Sequence, residues 1–231
     1  MNSLTARPSH IAADELAALV GSRLCHDLVS PLGAIGNGIE LLQMSGEFPR
    51  LSQSPEMQMM AEAVQSAQAR IRAFRMAFGH APRDQRIGLP DLTRLAAASV
   101  AQDRCHVRIE AAGDFARPEA RLILLALMCL DAAMPRGGQI LAVHTSPGWR
   151  LVAESGWMKP DPALWSWLDG DAAANLSPPP ASHVQFALLA EAARSAGRRL
   201  HWELDQSGAE IRLKPSRRNR CGRNTGPMGR T

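Results

Sequence analysis

The pattern of apolar positions changes period part-way along the chain. From about Ile11 to Phe78 it is helical. At 100° per residue, with Leu24 as zero, Val20, Leu24, Leu28, Leu32, Ile35, Ile39 and Leu42 all fall within about 80° of Leu24. Ser54-Pro55-Glu56 reads as the start of a second helix. Met57, Met60, Val64, Ala67, Ile71, Phe74 and Phe78 then alternate spacings of three and four, a heptad seam. Met44–Gln53, with Gly46, Pro49 and two serines, makes the turn between them. The spacing predicts a helical hairpin over residues 11–79, preceded by a flexible start at 1–10. Two helices of this length cannot bury all their apolar surface against each other. A homodimer, pairing two hairpins into a four-helix bundle, solves that problem; packing onto the rest of the chain is the rival solution.

Residues 80–90 (His-Ala-Pro-Arg-Asp-Gln-Arg-Ile-Gly-Leu-Pro) carry proline, glycine and charge and read as a linker. Beyond it the periods alternate. Leu92–Val100 reads as a helix, His106–Ala111 as a strand with Val107 and Ile109 inward, and Pro118–Ala133 as a helix opened by proline. Ile140–Val143 and Arg150–Glu154 read as strands joined by a turn at Ser146-Pro147-Gly148. Ser182–Ala196 is a helix closed by Gly197, followed by the hairpin Arg199–Leu204 and Ala209–Leu213. Residues 91–213 therefore predict an α/β sandwich with helices on one sheet face, and the whole chain an α+β fold.

Composition refines this picture. A chain of 231 residues with 45% apolar content buries one good core or two modest ones. The formal charge of +4 belongs to a tail: six of the 26 basic residues lie in 214–231, which has no acid, so 20 remain against 22 acids. That tail is polar and predicted to be disordered. No aromatic interleaves its arginines for base stacking, so a solvated terminus is favoured over a nucleic-acid arm. Cys25, Cys105, Cys129 and Cys221 have no paired spacing, which fits a reduced, cytoplasmic protein without zinc or a disulfide framework. The longest apolar run, Leu122–Leu130, is too short to span a membrane. The N-terminus lacks the pattern of an export signal.

Candidate chemistry sits on the first helix, in Leu24-Cys25-His26-Asp27-Leu28-Val29-Ser30-Pro31. His26 lies about 200° from Leu24 on the wheel, opposite the apolar stripe. Ser22, Ser30, Gly33 and Asn37 share its face, so small side chains leave the imidazole prominent and let another protein's backbone approach. Gly33, Gly36 and Gly38 each cost helix stability, about 1 kcal/mol, which a sequence shaped only for a helix would avoid. Asp27 can accept a hydrogen bond from one imidazole nitrogen, leaving the other as nucleophile, or remove a proton during transfer. Its alternative is a surface charge partner one turn away. Arg23 can meet a phosphoryl oxygen or an acidic partner, or stay solvated. Pro31 removes a backbone bond and predicts a kink just past His26.

His26-Asp27-Leu28-Val29-Ser30-Pro31 resembles the H-box of two-component histidine kinases. Followed by Gly-Ala-Ile-Gly-Asn-Gly-Ile-Glu-Leu-Leu (33–42), it resembles the phosphoacceptor helix of the ChpT-type histidine phosphotransferases, and the likeness extends in pattern to about residue 214. The resemblance implies a dimeric bundle followed by a degenerate version of the histidine-kinase ATPase domain. Three kinase elements are absent here. Where kinases carry two asparagines four apart, this chain has Leu127 and Asp131. In place of an Asp-x-Gly-x-Gly turn stands Glu154-Ser155-Gly156-Trp157-Met158. In place of a Gly-rich lid stands Leu176-Ser177-Pro178-Pro179-Pro180-Ala181, where proline supplies no amide donors. ATP is therefore not expected as a ligand.

The expected activity is a phosphorelay. The receiver aspartate of a hybrid kinase phosphorylates His26, and response regulators, of the kind that govern the cell cycle in this family, take the phosphate. The receiver supplies the magnesium, so no intrinsic cofactor or metal site is expected. An orphan ATP-dependent histidine kinase and a non-catalytic dimeric module that binds a kinase or regulator are the rival readings.

Overall fold

The computed structural model describes residues 13–45, 49–101, 103–145, 148–169 and 177–216. The expectations for 1–10, for most of the 214–231 tail and for parts of the turns at 44–53 and 146–148 and of the 176–181 segment fall outside these. The hairpin is built from α1 (Ala13–Met44), one turn of helix α2 (Pro49–Ser52) and α3 (Pro55–Phe78). α3 starts as its sequence predicts. Ser54 is its N-cap, with Oγ accepting from the Met57 amide at 3.2 Å, and Pro55 occupies the first turn, where its missing N–H costs nothing. α1 runs unbroken through Pro31.

The two helices meet on a face that overlaps the predicted stripe only at its edge, at Leu32 and Ile39. Ala18, Cys25 and Ile39 are buried, whereas Val20, Leu24, Leu28, Ile35 and Leu42 stay exposed. Small residues win this face because they let the helix axes approach closely. At Gly36 an added Cβ would lie 3.0 Å from the Gln68 amide nitrogen and 3.5 Å from Val64, and that amide donates to the Leu32 carbonyl at 3.0 Å. The glycine at 36 is thus explained by hairpin packing. At Gly33 and Gly38 an added Cβ meets nothing within 4 Å.

The second half contains β1 (Arg86–Gly88), α4 (Leu89–Ser99), β2 (Cys105–Glu110), β3 (Asp114–Ala116), α5 (Arg117–Ala133), β4 (Gly138–Thr145), β5 (Gly148–Glu154), a short α6 (Pro162–Trp165), α7 (Val184–Ser195), β6 (Arg198–Leu204) and β7 (Gly208–Pro215). The main sheet has the order β2-β4-β5-β7-β6. β2 and β4 run parallel, and the long connection this demands contains α5. The stretch expected as pure linker holds β1, which pairs antiparallel with β3 (Ile87 opposite Phe115), and the first turn of α4. β7 continues two residues beyond the expected end, pairing Lys214 with Arg199 and Pro215 with Arg198.

α5 is apolar on every side because every side is covered. It touches β5 and β7, α7 flanks it, and α3 and α4 close the remainder. Leu122, Ile123, Leu124, Leu125, Leu127 and Leu130 are all at most 2% exposed. Each such burial contributes about 1.5–3 kcal/mol. The mixed, mostly antiparallel sheet alternates as one with a single covered face should. Ile140, Leu151, Ala153, Ile211 and Leu213 are buried in the core, while other positions carry ion pairs such as Arg150–Glu210 at 2.8 Å and Arg108–Glu110 at 2.7 Å.

The halves are joined by more than the chain. Met76 and Ala77 of α3 belong to the same core as α5, and Arg121 Nε donates to the Ala77 carbonyl at 3.0 Å. The first helix is thereby held at a set position relative to the start of α5, which places the site. Among the described residues no helix is long and apolar enough to cross a membrane.

Candidate functional site

His26 projects from the middle of α1 with its side chain 75% exposed. Its Nδ1 lies 3.2 Å from Asp27 Oδ1, and the other carboxylate oxygen accepts from Arg23 Nε at 2.8 Å. A carboxylate can only accept, so the contact requires the proton on Nδ1. In the neutral ring, Nε2 then carries the free lone pair. The hydrogen bond from His26, helped by Arg23, holds the Asp27 carboxyl below its ordinary range. The two readings of Asp27 are therefore compatible: it contacts the ring and also pairs with Arg23 one turn back.

The other residues expected on this face divide. Ser30 and Asn37 are exposed, and Gly33 opens onto empty space. Ser22 is half-buried, and its Oγ accepts from the His80 amide at 3.4 Å, tying α1 to the chain just after α3.

Sequence reasoning missed what lies beside the imidazole. Ser22, His26, Arg75, Met76, His80 and Arg117 line one cleft of about 280 Å³. Arg75 comes from the last turn of α3, His80 follows that helix, and Arg117 opens α5. These positions are far apart in sequence and carry no shared motif; only the packing of α3 on α4 and α5 brings them together.

Elsewhere the chemistry is closed. Cys25, Cys105 and Cys129 are buried free thiols. Burial pushes all three up, Cys105 to about 11 with the charge of Asp131 adding to the effect. Their thiolates are therefore scarce at neutral pH. Leu127 is fully buried, and Asp131 faces Arg104 at 3.8 Å. Met158 is 3% exposed, and Trp165, 1% exposed, packs against Phe186 and Trp202 at ring-centroid distances of 5.7 and 5.5 Å. Trp157 remains at the surface under the Arg136 guanidinium, 4.8 Å from its centroid. Among the described residues no group of three or more His, Cys, Asp or Glu side chains is placed to hold a metal ion.

Three comparisons with known proteins bear on this geometry. The chain is 32% identical over 135 residues to the protein phosphotransferase ChpT of Brucella abortus (strain 2308), an alignment covering 58% of this chain and 62% of that protein. The match thus spans less than two thirds of that relative's length. A solved bacterial phosphotransferase superimposes over 90% of this chain and 100% of its own, with a TM-score of 0.62 at 23% identity, and so shares the fold. The model of the histidine phosphotransferase C-terminal domain matches residues 89–208, which cover α4 to the start of β7. The chain therefore belongs to the histidine phosphotransferase family defined by that C-terminal domain.

Proposed function

We propose that this chain is a histidine phosphotransferase of a phosphorelay, with His26 as the residue that carries the phosphoryl group. The observation that carries the reading is the Arg23–Asp27–His26 arrangement: an exposed imidazole, oriented through Nδ1, with Nε2 free to attack. Nε2 attacks the phosphorus of a receiver's aspartyl phosphate, the P–O bond to the aspartate breaks, and the released carboxylate takes the electron pair. The phosphorylated ring keeps its Nδ1 proton, and its positive charge is balanced by Asp27. A second receiver's aspartate reverses the step. Transfer of this kind depends on positioning and charge neutralisation, and the receiver brings the magnesium.

The source of phosphate is a receiver and not ATP. Supporting this, Leu127, Met158 and Trp165 are core residues, where a nucleotide would require an open, polar cleft. The exposed row Val20, Leu24, Leu28, Ile35 and Leu42, 39–59% exposed, supports a second copy of the hairpin as its cover and hence a homodimeric four-helix bundle.

The test is to incubate the full chain with a phosphorylated receiver and, separately, with labelled ATP. Acid-labile label should appear from the receiver and vanish in His26→Ala. Asp27→Asn should slow transfer about 10- to 100-fold. Label taken directly from ATP would identify an autokinase instead, and no label from either source would leave a binding module.

A further inference from the structure

The cleft beside His26 has a charge pattern that the motif on α1 does not contain. The residues lining it are one serine, two histidines, two arginines and a methionine, and among the described residues no acidic one lines it. Asp27, the acid adjacent to His26, is engaged with His26 Nδ1 and Arg23. Arg117 is anchored, donating through one terminal nitrogen to Gln85 Oε1. Its backbone amide also donates to the Gln85 carbonyl at 2.9 Å. Arg75 stands on α3, a helix held by the shared core. The two arginines therefore join His26 in one cleft from different halves of the molecule, each on a fixed backbone.

A phosphoryl group on nitrogen carries close to two negative charges on three equatorial oxygens. A concave site lined by two arginines, one of them anchored, concentrates positive potential there and offers planar, forked donors to those oxygens. We propose that Arg75 and Arg117 bind the phosphoryl group itself, holding its oxygens as it enters and leaves His26 Nε2. The proposal rests on the phosphohistidine reading above and deepens it. In this arrangement the second half of the molecule has a part in the chemistry: Arg117 supplies half of the phosphoryl site. It also distinguishes this site from a simple docking surface, because the clamp acts on the transferred group whatever the donor.

A donor without protein separates these roles. With phosphoramidate, Nε2 attacks phosphorus, the P–N bond breaks, and ammonia leaves with the electron pair; no receiver is involved. Full-length wild type, Arg75→Ala, Arg117→Ala, the double variant and the corresponding lysine variants are incubated with phosphoramidate, and phosphohistidine formation is followed by phosphorus NMR. Each alanine variant should react about 10-fold more slowly and the double variant about 100-fold, with lysine recovering part of the loss. Arg108→Ala, on strand β2 away from the cleft, should match wild type. Arg117→Lys keeps the charge and covers the case in which Arg117→Ala loosens the start of α5. Unchanged phosphoramidate rates in the alanine variants, with slowed transfer from a receiver, would overturn the clamp and make these arginines contacts for the partner protein. If wild type forms no phosphohistidine from either donor, the phosphotransfer reading falls and the clamp falls with it.

Discussion

The hairpin and the sandwich follow opposite rules of burial. In the sandwich, α5 is enclosed by sheet and helices until no apolar side remains open, and its cysteine is sealed with it. In the hairpin, α1 buries Ala18, Cys25 and Ile39 and leaves most of its large aliphatic side chains in solvent. The histidine lies on this less buried half. Enclosure suits a scaffold, since stability comes from apolar area removed from water. The carrier role proposed for His26 requires that another protein reach it, and its side chain is 75% exposed. The contrast also shows within α3, whose Met76 and Ala77 belong to the sandwich core while Val64 and Gln68 face Gly36 of the hairpin.

The largest expected effect tests the open half. Replacing Leu24 and Leu28 together by aspartate should weaken self-association by roughly 3–6 kcal/mol, the worth of two buried leucines, and sedimentation should then report a monomer. The sandwich should keep its melting temperature. An unchanged oligomeric state would mean that the exposed row has another role. The closed half should respond to truncation: Leu124→Ala, at a fully buried position, should cost about 2–5 kcal/mol in denaturant unfolding. Leu41→Ala, at a residue 69% exposed, should cost about 0.5 kcal/mol or less. Equal losses at the two sites would erase the distinction between the halves.

A small, pH-dependent effect concerns Asp131, where burial raises the carboxyl above its ordinary value of 3.8 and Arg104 only partly opposes it. A carboxyl with a raised folded-state value binds more protons when folded, so its contribution to stability falls as pH rises through that window. Asp131→Asn removes the titration. Relative to wild type, the variant should therefore gain stability between about pH 4 and neutrality, by about 1 kcal/mol or less. Thermal melts at pH 4 and pH 7 measure it. A difference that moves the other way would show that the Arg104 pair outweighs desolvation.

Much of the architecture was legible in the residues because local signals agree with the final packing. Ser54-Pro55 opens α3, proline opens α5, and Val107 and Ile109 pack against the core as the alternation in their strand predicts. The short ribbon β1–β3 was not legible, since three-residue strands have too few positions for a period to register. At the site, His26, Asp27 and Arg23 could be read together because one turn of helix brings them into reach. The three helix-weakening glycines of α1 could not be told apart from the sequence: Gly36 faces Gln68 and Val64 of α3, whereas Gly33 and Gly38 open onto empty space, and the difference shows only once the neighbour is known.

By itself the sequence determined the helical hairpin, the α/β sandwich after it and the His26-Asp27 pair, because each is specified by interactions within a few residues. The tertiary structure alone decided which face of α1 is buried. Close helix approach rewards small side chains, and the hydrophobic count along one helix cannot anticipate it. It alone also placed Arg75, His80 and Arg117 beside His26. Their meeting depends on α3 docking against α4 and α5, an event settled by packing between segments distant in the chain.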